Sequence, residues 1–174
     1  MKYLVKFFVV TFLFLIYTHA SAEQKIAYLD MKFVLNNSKA GKGAQDFLQK
    51  SFKENQKKFS DEENALKKKE NDLLAQKTIL TKKEYQKKSD DLRKKVIDYQ
   101  SQRRTALEKI TTQRAEARQK LLEKLDPIMK TYIKENDISL IIDRKNVLMG
   151  NTNLDITNVI VEKLNKELPS LSVK

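Results

Sequence analysis

The sequence has no cysteine, one histidine, 3 glycines and 2 prolines in 174 residues. Without cysteine there is no disulfide framework, no thiolate nucleophile and no cysteine-built zinc site. The single histidine, His19, lies in an N-terminal stretch built like a secretory signal peptide. Lys2 and Lys6 charge its start, FFVVTFLFLIY is an apolar run of 11, and Ala20-Ser21-Ala22 puts small residues at the −3 and −1 positions of a cleavage site. The run is shorter than the ~20 residues that a membrane span needs, which favours cleavage after Ala22 over an anchor. Cleavage removes His19, Lys2 and Lys6, so the formal charge falls from +12 to +10 and no histidine base or ligand remains. An exported chain without disulfides is stabilised by packing and assembly.

The shortage of glycine and proline points to long helices. Between Ala44 and Met149 there is no glycine, and Pro127 is the only proline. Helices are expected over about 42–78 and 82–135, with a turn near 77–82. Thr81 followed by Glu84 forms a capping box there, the signature of a new helix start. In the first helix Phe52, Phe59, Leu66, Leu73 and Leu80 recur seven apart. In the second, Tyr85, Leu92, Val96, Tyr99, Ala106, Ile110, Ala117, Leu121 and Leu125 follow a coiled-coil spacing. The two helices are predicted to pair antiparallel with a thin seam, since Glu62, Glu63, Lys69 and Glu70 occupy places where a stable rod has leucine. Helices of 35–50 residues are roughly 50–75 Å long, so this arm projects far beyond any small body.

The chain ends read differently. Strands are expected over about 25–30, 138–143 and 147–149, and a last helix over about 156–167 capped by Asp155 or Thr157. Ser38 reads as a helix N-cap, and Gly41 with Gly43 as a break or a close approach. The fold class is α+β: residues 23–41 and 125–174 form a body, and residues 42–124 a helical hairpin arm. Three short strands and one helix bury little apolar surface. Leu140-Ile141-Ile142 is apolar on both faces, which suits a strand covered on both sides. Association is therefore expected, with Ile26, Tyr28, Leu140, Ile141, Ile142 and Val147 as the oligomer core.

No catalytic, metal or cofactor constellation is visible, so an enzyme is the weakest reading. Asp61, Glu62, Glu63, Asp90 and Asp91 sit among lysines on exposed helices and read as ion-pair partners. The positive balance raises nucleic acid, anionic membranes and acidic polymers as partners. Lys82, Lys83, Lys87, Lys88, Arg93, Lys94 and Lys95 face only Glu84, Asp90 and Asp91 in the same segment. No stacking aromatics or helix-turn-helix accompany them, which favours a basic arm surface that steers acidic unfolded chains or anionic lipid over a nucleic-acid reader. Phe52, Phe59, Leu66, Leu73, Ile79, Leu80, Tyr85 and Leu92 read as arm-seam residues, a fraction of them free to touch a bound chain.

KIAYLD, VLNNSKAGKGAQDFL, ISLIIDRKNVLMGN and LDITNVIVEKLNKEL, set around a Lys/Glu/Gln-rich hairpin, resemble the Skp/OmpH family of periplasmic chaperones over the whole chain after residue 22. The end segments carry the resemblance; the middle is compositional. The resemblance implies a homotrimer whose strands form a small central β-barrel, with three arms around a cavity. It implies an ATP-independent holdase in the periplasm, without cofactors. It would bind unfolded outer-membrane β-barrel proteins, prevent their aggregation and deliver them toward outer-membrane assembly. The tip, Ile79-Leu80-Thr81, lacks glycine, and no motif fixes the family's lipopolysaccharide contact to particular residues. The rival readings are a basic coiled-coil envelope protein binding nucleic acid or anionic lipid, and a structural spacer.

Overall fold

The computed structural model describes residues 24–173; the expected signal segment lies outside the described residues. Strands β1 (Lys25–Leu29) and β2 (Ile138–Asp143) pair in parallel, with Ile26 opposite Leu140 and Leu29 opposite Asp143. Parallel neighbours need a crossover, and here it comprises three helices: α1 (Met31–Asn37), α2 (Lys39–Ala75) and α3 (Lys82–Glu135). Helix α4 (Thr157–Glu167) follows two short 3₁₀ turns, Arg144–Asn146 and Thr152–Leu154.

Short-range chemistry sets the helix ends. Asp30 terminates β1, and its carboxylate accepts the Phe33 N–H at 2.7 Å, capping α1. Ser38 works in both directions. Its N–H donates to Val34 O at 3.1 Å, closing α1, and its Oγ accepts from the Gly41 N–H at 3.1 Å, opening α2. Gly41 lies inside α2, where a Cβ would collide with the carbonyl oxygen of Leu35. Gly41 thus marks a close approach, and the helix runs through both glycines without a break. The chain turns back at residues 76–81. Glu84 N–H donates to Thr81 Oγ1 at 3.3 Å, and Thr81 N–H donates to Glu84 Oε2 at 3.0 Å, completing the capping box. Thr81→Ala is expected to cost this helix end about 1 kcal/mol, read as faster amide exchange at Glu84 and Tyr85.

Helix α3 has 54 residues and contains Pro127. At 1.5 Å per residue it is about 80 Å long. Its last third joins the body, where Leu121 and Leu125 pack with Leu29, Val34, Ile160 and Leu164 in one core. β1 is flanked on its second side by residues 155–156, through Ile156 N–H to Tyr28 O at 3.0 Å.

Three sequence expectations are corrected. Residues 147–149 form a bend and not a strand. Asp143 accepts the Lys145 N–H at 3.0 Å, and Val147 N–H returns to Arg144 O at 3.0 Å, winding the chain out of extended geometry. Neither Asp155 nor Thr157 is the N-cap of α4; Ile156 holds that place without a side-chain cap bond. Phe52 is 47% exposed and stands beside the seam. The buried line of α2 runs from Leu48 to Phe59, a step of 11 residues, so stepping back seven from Phe59 misses it.

Candidate functional site

Two surfaces of the described residues carry exposed chemistry: the hairpin arm and the outer face of the β1–β2 sheet.

The arm seam is dry only in places. Phe59 and Tyr99 are buried and meet edge to face, ring centroids 6.0 Å apart, at mid-arm. Tyr99 OH also donates to Glu63 Oε2 at 3.3 Å. Toward the tip, Leu66, Leu73, Leu80, Tyr85 and Leu92 are half-buried, and Ile79 is 81% exposed in the turn. Toward the body, Ala44 and Leu48 of α2 and Ile110, Ala117 and Leu121 of α3 are buried. Gln113 is buried on the same stripe of α3. Composition gave no hint of it, but its position three residues after Ile110 did.

The arm surface is laced with exposed i,i+4 pairs, including Lys57–Asp61 at 2.9 Å and Glu63–Lys67 at 2.8 Å. Exposed pairs of this kind are screened by salt and add little to stability. Lys67 holds the Glu63 carboxyl below its ordinary pKa by hydrogen bond and charge, and Tyr99 and Arg103 add to this. The predicted basic segment divides. Lys82, Lys83, Lys87 and Lys94 line one shallow groove with Gln86, Asp90 and Asp91. Lys88 donates to Gln76 Oε1 at 2.8 Å, and Arg93 pairs with Asp90 at 3.6 Å. Lys95 is exposed outside that groove.

On the body, the paired residues Ile26 and Leu140 are 42% and 52% exposed. Ile141, Ile142 and Val147 are half-buried, and Ile141 packs against the core. Tyr28 is already covered within the chain, under the Arg144 guanidinium at 5.6 Å from its ring. Leu148 and Met149 stand fully in solvent. Arg144 Nη1 also reaches Asp155 Oδ2 at 2.6 Å, and Asp155 Oδ1 accepts the Thr157 N–H at 2.9 Å. Burial pushes the Asp155 pKa up, but hydrogen bonds from Thr157 and the charge of Arg144 outweigh it and leave the net shift downward. A carboxyl depressed on folding contributes stability above its unfolded pKa, and that contribution is lost as pH falls through the folded value. The urea midpoint of the wild type should therefore drop between about pH 5 and pH 3 more steeply than that of Asp155→Asn. Among the described residues no cluster of three or more His, Cys, Asp or Glu is placed to hold a metal.

This layout, a long antiparallel hairpin between two parallel strands of a small body, defines a family. A family model described as Outer membrane protein (OmpH-like) matches residues 25–164. The chain belongs to that family. It is 25% identical over 166 residues to a Skp-like protein of Pseudomonas aeruginosa, covering 95% of this chain and 99% of the relative. It is similar in fold to the crystal structure of an OmpH-like protein of Caulobacter crescentus CB15, described as a candidate outer membrane chaperone. The TM-score is 0.79 at 19% identity, over 89% of this chain and 92% of that one.

Proposed function

We propose that this protein is an ATP-independent holdase chaperone of the periplasm, which binds unfolded outer-membrane proteins between helical arms. The observation that carries the reading is the arm: a hairpin of 37- and 54-residue helices whose seam is only partly dry and whose surface is basic. An underpacked seam lets the arm bend around clients of different size. A charged, wet surface keeps contacts weak and numerous, so binding rests on avidity and release needs no chemical step. The description of the Caulobacter crescentus protein as an outer membrane chaperone supports a chaperone role.

The body supplies the second half of the proposal. Its single described sheet has two strands, too few to be stable alone, and Ile26 and Leu140 lie uncovered on one face. Three copies joined through this face and the free edge of β2 would complete a small barrel and fix three arms around a cavity. No acid–base or nucleophilic constellation enters this reading, and no cofactor is needed.

The test is an aggregation assay. An outer-membrane β-barrel polypeptide is diluted from urea with and without the protein, and light scattering is followed. Suppressed scattering is expected; scattering that rises equally fast in both sets the holdase reading aside. Light scattering of the protein alone should give the mass of a trimer. Duplex DNA at 50 and 200 mM salt serves as the rival ligand, and binding that survives the higher salt would favour a nucleic-acid role.

A further inference from the structure

The two side walls of the hairpin differ in chemistry. Tyr99 of α3 is buried in the seam, and Arg103, four residues on, marks one wall beside it, its charge acting on the Glu63 carboxylate of α2. Lys88 marks the other through its bond to Gln76. Gln76 caps the end of α2 in a helical conformation, 13 residues after Glu63, which at ~100° per residue separates the two by about 140° around the helix axis.

Steps of 7, 11 or 18 residues return a helix to nearly the same side. Arg103, Arg104 and Leu107 line one shallow groove on α3. From Leu107, Arg114 is 7 residues on and Arg118 is 11 on, while Arg93 is 11 before Arg104. All five arginines of α3 therefore stand on the Glu63 wall. The exposed apolar side chains of α3 join them: Ile97 is 7 before Arg104, Leu107 is in the groove, and Leu122 is 18 after Arg104. From α2 come Phe52 and Leu74, each 11 residues from Glu63 and about half exposed. The opposite wall repeats Lys88, Lys95, Lys109 and Lys120 at steps of 7, 14 and 11, with no arginine. Phe47, near the body, is the one exposed large apolar residue of α2 and α3 off the Glu63 wall.

Arginine and lysine carry the same charge, so solubility does not explain this sorting. A guanidinium is planar and weakly hydrated; it stacks on aromatic rings and forks onto carboxylates, whereas an ammonium stays hydrated. We infer that the Glu63 wall is the client-holding surface of the arm and that it selects extended segments bearing aromatic and carboxylate side chains, while the lysine wall faces water. This rests on the holdase reading and adds to it the contact face and the client chemistry. The stretch from Arg93 to Leu122 is about 44 Å long, room for roughly 13 residues of extended chain.

The experiment places a photo-cross-linking amino acid in the full chain at Ile97 or Leu107 on one wall, and at Gln102 or Lys109 on the other. Each variant is mixed with an acidic outer-membrane β-barrel polypeptide diluted from urea. Cross-link yield at the first pair should exceed that at the second by about tenfold. In parallel, Arg93, Arg103, Arg104, Arg114 and Arg118 are all changed to lysine at constant net charge, which should weaken Kd by about tenfold. Equal yields on both walls overturn the contact face, and an unchanged Kd overturns the selection by arginine; the holdase reading survives either result. No cross-link at any position, together with no measurable Kd for the wild type, overturns both.

Discussion

Gly41→Ala should lower the urea midpoint clearly, whereas Gly43→Ala should raise it. Both glycines lie in the first turns of α2, both are followed by helix, and composition does not tell them apart. Their surroundings do. A Cβ at Gly41 would run into the backbone carbonyl of Leu35, which has no rotamer to move away, and would crowd Ser38 Oγ at 2.9 Å. Relief requires opening the α1–α2 corner, and Val34, Ser38 and Ala40 in that corner are all 0% exposed. The cost of such overpacking is about 2–3 kcal/mol. At Gly43 nothing lies within 4 Å of the added methyl. There the substitution only removes backbone freedom from the unfolded chain and improves helix propensity, a gain of about 0.5–1 kcal/mol. Urea titrations of both variants, at one protein concentration to hold any assembly fixed, decide it. Equal shifts of the same sign would show that the corner yields more easily than its packing implies.

Leu164→Ala is expected to be still more costly. Leu164 and Ile160 are the two side chains of α4 with 0% exposure, and they seat that helix on Leu29, Val34 and Leu125. Truncating a leucine in such a site removes transfer free energy and leaves a cavity, together about 2–5 kcal/mol. Helix α4 has 11 residues and no side-chain N-cap, too short to persist in water by itself. Its loosening would uncover the edge of β1 that Ile156 now satisfies. Circular dichroism should show a lower melting point with the arm helices retained, since α2 and α3 contact each other along their own length. Valine at 164 should recover part of the loss; if alanine and valine behave alike, cavity size is not what matters there.

The parts of this fold that are legible in the sequence are those set within a few residues. Ser38 with Gly41, and Thr81 with Glu84, are donor–acceptor pairs three apart, so their chemistry locates helix ends without knowledge of the rest. The absence of glycine and proline between Ala44 and Pro127 leaves little but helix for that span. The family, too, is legible, because its end segments are specific. What was missed depends on partners distant in sequence. Val147 to Met149 have strand-like composition, but the preceding 3₁₀ turn winds them out of extended geometry and leaves Leu148 and Met149 in solvent. Phe52 matches a heptad, but the helices pack there at a longer repeat. Gln113 is buried because of its phase on α3, not its polarity. The sorting of arginine from lysine onto two walls emerges only once Tyr99 and Glu63 fix how the two helices face each other.

The parallel pairing of β1 with β2 joins Ile26 to Leu140 across more than 100 residues of intervening chain. Such a pairing has high contact order, and closing so large a loop in a flexible chain is slow and entropically costly. The arm removes most of that cost. Once α2 and α3 zip together from the turn at 76–81, the chain entering α2 and the chain leaving α3 arrive side by side, and the loop left to close shrinks to the short segments that join the arm to β1 and β2. Zipping can start at the capping box, where all contacts are local, and proceed toward the body as each layer of the seam forms. The arm then acts first as a folding template for its own body and only afterwards as a limb, and its thin seam sets the speed of the first task as well as the compliance of the second.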